Sequence, residues 1–473
     1  MSDSPREACG IVGVYTPDED AARAAFFGLF SLQHRGQESA GIATADGRNH
    51  FHHTGMGLVA QAFHEFDLVG LPGHIAIGHT RYSTMGSSNE NNAQPIQVEG
   101  IQGYLALAHN GNVINAFDLR DELVRDWGCK FTTSTDSEVI AHLLANTPGQ
   151  TWAVRLASVM RRLRGAYSLT VLLPDSLLAI RDPLGVRPLC LGKLNGGWIV
   201  ASESCALDHI GAQFIREIEP GEALLINQNG VKTVYQVNEG KKALCVFETI
   251  YFARPDSILD RTLVYATRQE MGRQLAREHP VEADLVIGIP DSATAAGIGY
   301  AEESGIPYRE GLIKNRYVGR TFIEPDQRIR DLGVRLKFNP LPEVLLDQRV
   351  VVVDDSIVRG TTTGHVVNLL RRAGCREVHM RVCAPPIISP CHFGVDFSTR
   401  QELIAARMNL KEICIAINAD SLGYLSMPGL FSAIGRDQTT YCSGCFTNQY
   451  PIDVQLDLDK LALEQTQTEK NTA

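Results

Sequence analysis

Short apolar runs separated by turns that contain glycine and asparagine dominate the first half of the chain. Runs of this length predict β-strands when turn residues bound them. Helical periodicity is found between the strands only, over Asp20–Leu32, Ser137–Ala145 and Thr151–Leu163. The predicted strands are Ile11–Tyr15, Gly41–Thr44, Ile75–Gly78, Tyr104–Ala108, Tyr167–Leu173, Leu177–Arg181, Trp198–Ala201 and Glu222–Ile226. This combination indicates an α+β domain in which helices cover antiparallel sheets.

The rhythm changes in the second half to an apolar strand, a loop of small residues, and then a helix. Leu285–Ile289 precedes a helical stretch at Ala293–Ser304, Val350–Val353 precedes one at Gly364–Arg372, and Glu377–Cys383 follows as another strand. Such alternation is typical of α/β domains with a parallel sheet and crossover helices.

Asn, Gly and Lys interrupt the pattern over Gly230–Lys242, and the residues after Leu456 are polar. We therefore expect one domain over residues 9–235, a second over 236–456, and a frayed tail over 457–473.

Composition and charge narrow the class of protein. A length of 473 residues exceeds what one core usually supports, while 44% hydrophobic and 21% charged residues indicate a globular protein. No run approaches the roughly 18 apolar residues of a membrane span, and the first eight residues lack the apolar segment of a secretory signal. Eleven cysteines are too few for a disulfide scaffold, and a net charge of −10 argues against nucleic acid or an anionic membrane as a partner. We expect a cytoplasmic enzyme.

One stretch departs from this acidic balance. Residues 314–337 contain seven Lys or Arg and three acids, a net charge of +4. A solvated, charged loop would explain the composition, but a basic segment in an acidic protein also suits an anionic substrate.

Cys9 stands directly before a predicted strand, in Cys9-Gly-Ile-Val-Gly13, behind eight mostly polar residues. Removal of residues 1–8 would leave Cys9 with a free α-amine, whose pKa of roughly 7.7–8.0 suits a general base for the thiol. Taken alone, Cys9 is more readily explained as a buried strand cysteine, and its neighbours reverse that preference.

Three further motifs supply the groups that amide hydrolysis requires. Arg81, in Gly78-His-Thr-Arg-Tyr-Ser-Thr84, offers a guanidinium for a carboxylate, and Asn110-Gly111 offers an amide and an N–H to an oxyanion. Asp136 begins a helix and can receive an ammonium group. Singly, these residues are also a surface arginine, a turn and a helix cap.

Together with Gln33-His-Arg-Gly-Gln-Glu-Ser39, the motifs stand in the order of the class II, N-terminal-nucleophile glutamine amidotransferases, which the first half resembles. The resemblance implies an αββα sandwich and removal of residues 1–8. It also implies Cys9 as nucleophile, Asn110 and Gly111 as oxyanion donors, and a glutamine pocket formed by Arg81, Thr84 and Asp136.

The second half carries an acidic motif at the end of an apolar strand. Asp354 and Asp355 follow Val350–Val353, and the turn Gly360-Thr-Thr-Thr363 then opens a helix whose N–H and hydroxyl groups suit a phosphate. Acidic capping of a helix would explain the first acid, but it explains the second acid and the threonines poorly.

This motif resembles the fingerprint of type I phosphoribosyltransferases. The resemblance implies that Ser292, Asp354 and Asp355 bind one Mg²⁺ per subunit, and that residues 314–337 form a loop that closes over phosphoribosyl pyrophosphate. The residues implied to bind that substrate are Asp291, Lys314, Arg335, Lys337, Ser356, Gly360, Thr361, Thr362 and Thr363.

Cys442 and Cys445 form a C-x₂-C pair, which by itself leaves a metal site and two unremarkable thiols equally open. The whole chain resembles the processed, iron–sulfur type of glutamine phosphoribosylpyrophosphate amidotransferase. That resemblance adds Cys245 and Cys391 and implies one [4Fe–4S] cluster per subunit, although four cysteines are also a zinc set. The other six cysteines lack ligand spacing.

The resemblance implies that glutamine is hydrolysed at Cys9 and that its ammonia displaces pyrophosphate from phosphoribosyl pyrophosphate, giving 5-phosphoribosylamine, the first committed step of purine synthesis. It also implies a homotetramer inhibited by purine nucleotides. Two alternatives are another ammonia acceptor, as in hexosamine synthases or asparagine synthetases, and a non-catalytic regulator that binds phosphoribosyl pyrophosphate. The acidic motif argues against the first alternative, and the glutaminase residues argue against the second.

Overall fold

The computed structural model of the protein describes residues 9–17, 20–82, 86–237, 241–315, 337–395 and 399–454. The predictions for residues 1–8, Thr84, Arg335 and 457–473 therefore lie outside the described residues. Among the helices described, none has both the length and the apolar character needed to cross a membrane.

Two antiparallel sheets form the first half, residues 9–237. The first has seven strands in the spatial order Gln213–Glu217, Cys190–Leu194, Gly197–Ala201, Gly10–Tyr15, Ile75–Arg81, Ser39–Ala45 and His50–Met56. The second has six, in the order Gly230–Gln236, Glu222–Asn227, Leu177–Arg181, Gly165–Leu172, Gly103–Val113 and Ile96–Gly100.

The two sheets pack face to face, and helices cover both outer faces. Ile11 and Ile77 of the first sheet meet Leu172 and Leu224 of the second in one core cluster, where all four are fully buried. The helices are Ala21–Ser31, Val59–Ala62, Glu65–Val69 and Ser204–His209 beside the first sheet, and Ala116–Trp127, Asp136–Asn146 and Trp152–Arg162 beside the second. These four layers confirm the predicted αββα sandwich.

Local sequence accounts for where the predicted helices begin. Asp20, Thr135 and Thr151 are N-caps whose side chains accept hydrogen bonds from the N–H groups of Arg23, Glu138 and Val154. The helix Ala116–Trp127 was not predicted, because its sequence is rich in charge and it buries only a narrow stripe that includes Leu119 and Leu123.

All eight strands predicted for the first half are present, and five described strands of that half were not predicted. Four of these are the edge strands of the two sheets: His50–Met56, Gln213–Glu217, Ile96–Gly100 and Gly230–Gln236. Edge strands are partly solvated and tolerate polar residues, so their sequences do not form the apolar runs by which strands were recognised. The fifth, Cys190–Leu194, contains Gly192 and Lys193.

A parallel sheet organises the second half, residues 241–454, as predicted. Its strands are ordered Leu285–Gly288, Arg349–Asp354, Glu377–Val382 and Ser421–Tyr424. The described helices are Val264–Glu278, Thr294–Ser304, Pro342–Leu345, Thr361–Arg372, Leu410–Ala416, Met427–Ile434 and Gly444–Thr447. Three short strand pairs complete it: Ile258–Leu259 with Thr262–Leu263, Leu312–Lys314 with Phe338–Pro340, and Leu244–Cys245 with Tyr441–Cys442.

Candidate active sites

Cys9 lies at the start of Gly10–Tyr15, a central strand of the first sheet, with its side chain buried. The thiol donates to the carbonyl oxygen of Tyr82 (3.2 Å), and the N–H of Tyr82 approaches the sulfur (3.4 Å). Burial raises the pKa of the Cys9 thiol to about 11, although the Tyr82 backbone and the charge of Arg81 act in the opposite direction. The group is a neutral thiol at neutral pH, so a reaction at this sulfur needs a base.

Two buried histidines are poorly suited to be that base. His79 lies on the strand that pairs with Gly10–Tyr15, and His109 lies on a strand of the second sheet. His79 and His109 are both buried, and His79 Nε2 lies 3.1 Å from the carbonyl oxygen of His109. Burial lowers the pKa of His79 to about 3 and also lowers the pKa of His109. Neutral imidazoles with low pKa values are weak bases, which favours the α-amine of a processed Cys9.

Asn110 and Gly111 lie within the strand Gly103–Val113, which runs further than the predicted strand end. Asn110 is fully buried, and among the described residues neither Oδ1 nor Nδ2 of its amide has a hydrogen-bond partner. Gly111 has φ of +147°, and a Cβ there would lie 2.0 Å from the carbonyl oxygen of Ala166, so only glycine fits. A buried amide without partners costs free energy unless a ligand satisfies it, and an oxyanion would accept a hydrogen bond from its Nδ2.

Two of the three residues predicted to form the glutamine pocket, Arg81 and Asp136, lie within the described residues. Arg81 ends the strand Ile75–Arg81, is buried, and donates to the carbonyl oxygen of Ser87 (3.0 Å). Asp136 is the first residue of its helix, and its Oδ2 accepts from the N–H of Val113 (3.0 Å), two residues after Gly111. The charge of Arg81 lowers the pKa of the Cys9 thiol and the charge of Asp136 raises it.

The acidic motif of the second half lies at the carboxyl edge of the parallel sheet. Asp354 ends its strand and accepts from the N–H of Asp355 through Oδ1 (2.9 Å), and Ser356 Oγ donates to Asp355 Oδ1 (2.6 Å). Ser292, from the loop after the adjacent strand, also hydrogen-bonds to the Asp355 side chain. Burial raises the pKa of Asp355, and these hydrogen bonds and Arg268 oppose the rise. The structure therefore brings Ser292 to the predicted acids, and the oxygen donors fit Mg²⁺.

The helix Thr361–Arg372 begins at Gly360 beside these acids. Gly360 has φ of +80°, and a Cβ there would lie 2.5 Å from Ile404 Cδ1, so a side chain is excluded. The N–H groups of Thr361, Thr362 and Thr363 stand at the start of the helix, where the helix dipole favours a phosphate.

The two ends of the predicted basic loop, Lys314 and Lys337, lie at a two-stranded ribbon. The N–H of Asn315 donates to the carbonyl oxygen of Lys337 (2.9 Å), next to the paired strands Leu312–Lys314 and Phe338–Pro340. Lys314 Nζ lies 2.9 Å from Asp291 Oδ2, which joins two residues predicted to bind the substrate. Residues 316–336, the loop itself, lie outside the described residues.

The four cysteines predicted to bind a metal lie close together in the second half. Cys245 pairs with Cys442 in a parallel two-stranded sheet, and the carbonyl oxygen of Cys445 accepts from the N–H of Ser389 (3.1 Å), two residues before Cys391. Burial raises the pKa of Cys445 well above 9.0, and the other three cysteines raise it further. All four are free thiols.

The chemistry of this cysteine group suits a metal better than the present arrangement of its side chains does. Within the described ranges, no group of three or more His, Cys, Asp or Glu side chains is already arranged to hold a metal ion. The four cysteines nevertheless lie in or against an apolar core that contains Phe247 and Phe446, and they form no disulfide. Four thiolates in an apolar setting suit an iron–sulfur cluster or zinc.

Four buried charged residues form a network between the two halves of the chain. None of them was assigned a role from the sequence. Arg35 pairs with Glu203 and Glu248, and Arg187 pairs with Glu248 (3.1 Å), with all four side chains almost fully buried. Each of Arg187 and Glu248 interrupts an apolar run, Leu184–Leu189 and Ala243–Phe252 respectively. The signal available in the sequence was a single charged residue within an apolar run. Such a residue is expected to be buried, and a buried charge is rarely left unpaired.

Comparisons with known proteins match both halves. A family model described as a glutamine amidotransferase domain matches residues 79–209. An amidophosphoribosyltransferase from Synechocystis sp. is 49% identical over 459 residues, which cover 96% of this chain and 92% of that protein.

Two solved structures are similar over nearly the whole chain, each with 44% sequence identity over 95% of it. One is the allosteric regulatory enzyme of purine biosynthesis (TM-score 0.90, 97% of that chain). The other is the glutamine phosphoribosylpyrophosphate amidotransferase from B. subtilis complexed with ADP and GMP (TM-score 0.89, 99% of that chain).

Proposed function

Because this chain belongs to the amidophosphoribosyltransferase family, we infer that it hydrolyses glutamine and transfers the ammonia to C1 of phosphoribosyl pyrophosphate. The products are 5-phosphoribosylamine, pyrophosphate and glutamate, and the reaction is the first committed step of purine synthesis. The observation that carries the assignment is the identity of 49% over 96% of the chain, which includes both halves.

Cys9 is the nucleophile of the glutaminase half in this proposal. Its sulfur attacks the side-chain amide carbon of glutamine, and the N–H of Gly111 and the Asn110 amide stabilise the oxyanion of the tetrahedral intermediate. The C–N bond then breaks, ammonia leaves, and water cleaves the thioester to glutamate and free thiol. The orphaned amide of Asn110 supports this role.

We also propose that residues 1–8 are removed. The Cys9 α-amine would then accept the thiol proton and return it to the departing nitrogen. Burial lowers the pKa of both His79 and His109, which makes each imidazole a weaker base and supports this assignment. Arg81, Thr84 and Asp136 would hold the α-carboxylate and α-ammonium of glutamine.

In the second half, ammonia attacks C1 of phosphoribosyl pyrophosphate as the bond from C1 to the pyrophosphate oxygen breaks. Asp354 and Asp355 would bind the ribose hydroxyls, and together with Ser292 they would hold Mg²⁺. When bound, Mg²⁺ neutralises charge on the departing pyrophosphate. The helix that starts at Thr361 would bind the 5-phosphate, and Asp291, Lys314, Arg335 and Lys337 would lie around the substrate.

An assay with two nitrogen sources tests the function. Purified protein given phosphoribosyl pyrophosphate and Mg²⁺ is expected to release pyrophosphate with either glutamine or ammonium, and to form glutamate only with glutamine. Glutamate release that required fructose 6-phosphate or aspartate, with no pyrophosphate from phosphoribosyl pyrophosphate, would assign a different acceptor.

We propose that Cys245, Cys391, Cys442 and Cys445 hold one [4Fe–4S] cluster, so that the chain is of the processed, iron–sulfur type. Four free thiols from distant segments lie in or against one apolar core, which supports this proposal. The predicted leader before Cys9 supports it as well. The cluster would be structural, because neither active site uses these four residues.

Anaerobically purified protein is therefore expected to be brown and to contain about four iron atoms per chain. Cys442→Ser is expected to be colourless and poorly soluble, because metal binding to native loops contributes to folding free energy. Absorption spectra and metal analysis check this, with Cys414→Ser, a partly exposed cysteine of the same half, as the control. Active, colourless wild-type protein that carried zinc would rule out the cluster and leave the transferase assignment intact.

Regulation and assembly are further proposals. The relative from B. subtilis was solved with ADP and GMP, which supports purine nucleotides as inhibitors of this chain too. The homotetramer and the cytoplasmic location stay predictions.

A further inference from the structure

A buried network of two arginines and two glutamates joins the two halves directly behind the nucleophile. Arg35 and Glu203 come from the first half, as does Arg187, while Glu248 comes from the second. Arg35 and Glu248 are 213 residues apart in sequence, and both side chains are completely buried. Their charges balance within the network, with two positive and two negative groups.

The geometry of Arg35 connects this network to Cys9. Arg35 Nε donates to the carbonyl oxygen of Cys9 (3.2 Å). On its other side, Nη2 donates to Glu248 Oε1 (2.7 Å) and Nη1 to Glu248 Oε2 (3.0 Å). A carboxylate that engages both terminal nitrogens fixes the plane of the guanidinium. Glu248, together with Glu203 on Nη1, therefore fixes where the Nε–H of Arg35 points, and that group donates to the backbone of Cys9.

Glu248 is itself held rigidly. It is the first residue of a single π-helical turn, Glu248–Phe252, a geometry that is rare and often found at functional sites. Arg268 donates to the carbonyl oxygens of Thr249 (2.9 Å) and Ala253 (2.8 Å) and so ties down the rest of the turn. Arg187, the second partner of Glu248, donates to the carbonyl oxygen of Phe393 (2.8 Å).

We propose that Glu248 is a positioning residue for glutamine hydrolysis, supplied by the phosphoribosyltransferase half, which acts through Arg35 to hold the Cys9 backbone. The glutaminase site would then be incomplete without the second half of the chain. This inference rests on the proposed role of Cys9 as nucleophile. It assigns Glu248 no contact with glutamine, phosphoribosyl pyrophosphate or ammonia.

Removing the charge of Glu248 leaves Arg35 and Arg187 buried with Glu203 as the one remaining carboxylate of the network. The guanidinium of Arg35 then loses its bidentate carboxylate and keeps Glu203 as a charged partner, so its donor to the Cys9 backbone is oriented less firmly. Misplacement of a reacting group by about 1 Å can cost roughly 100-fold in rate. Arg81 and Asp136, the proposed glutamine clamp, pair elsewhere, so binding of glutamine depends less on Glu248.

The test compares Glu248→Gln with wild type in two reactions of the full chain. We expect kcat for glutamine hydrolysis to fall by about 100-fold with KM for glutamine changed less than about threefold, and ammonia-dependent synthesis to stay within about twofold. Labelling of Cys9 by a glutamine analogue that carries an electrophilic ketone should slow in parallel with kcat. Glu248→Asp, which keeps the charge, should recover part of the rate.

Controls separate this inference from a structural role and from the proposed function. Glu303→Gln, a surface residue of the same half paired with Arg277, should leave both reactions unchanged. If Glu248→Gln is insoluble, Arg35→Lys serves instead, because lysine keeps the charge but cannot reach Cys9 and both carboxylate oxygens together. Unchanged glutamine kcat, or equal loss of both reactions, overturns the inference. Cys9→Ser run in parallel identifies the other failure, since retained glutaminase activity in that variant would refute Cys9 as nucleophile instead.

Discussion

Cys9→Ser is expected to reduce glutamine hydrolysis and glutamine-dependent synthesis by at least about 1000-fold, because the serine hydroxyl is a much weaker acid and nucleophile than the thiol. Ammonia-dependent synthesis should persist, since its proposed residues lie in the second half, whereas the Cys9 side chain hydrogen-bonds to the backbone of Tyr82 in the first. Glutamate release and pyrophosphate release, each measured with glutamine and with ammonium, check both statements.

Cys129→Ser is the matched control for this variant. Cys129 belongs to the same half and is partly exposed, with the Asn146 amide 3.6 Å from its sulfur. We expect it to leave both reactions unchanged. Glutaminase activity in Cys9→Ser close to that of Cys129→Ser would show that another residue is the nucleophile.

Asp355→Asn is expected to produce the complementary defect. Asp355 accepts hydrogen bonds from Ser292 and Ser356 in a buried position, so the substitution removes the carboxylate while the site keeps its shape. Synthesis should fall by at least about 100-fold with either nitrogen source, because a carboxylate that holds the metal supports several kcal/mol of transition-state stabilisation. Basal hydrolysis of glutamine should survive, as measured by glutamate release without phosphoribosyl pyrophosphate.

The control is Asp347→Asn, an exposed residue just before the same strand whose φ of +59° asparagine also tolerates. It should behave as wild type in both reactions. A folded Asp355→Asn protein that lost glutamine hydrolysis as completely as synthesis would contradict the separation of roles between the two halves.

The sequence by itself determined the elements whose signals are local. The apolar runs that became interior strands were visible one by one, apart from Cys190–Leu194, and the three predicted helical stretches of the first half are present. Motifs such as Asn110-Gly111 and Asp354-Asp355 identified candidate residues because their chemistry is carried by adjacent positions. The order of these motifs along the chain was sufficient to recognise the family, which the comparisons confirm.

Edge strands were not determined in this way. His50–Met56 and Gly230–Gln236 are half solvated, so neither has the apolar pattern that predicts a strand. Their place follows from hydrogen bonding to a neighbouring strand, which the sequence of the edge strand itself does not record.

Only the tertiary structure decided which groups are buried together. It left the amide of Asn110 without a partner among the described residues. It brought Cys245, Cys391, Cys442 and Cys445 together in or against one apolar core. It also placed Glu248 against Arg35 behind the nucleophile. The physical reason is that a charge or an amide is costly in an apolar interior unless it is paired, and its partner is supplied by packing between segments far apart in sequence.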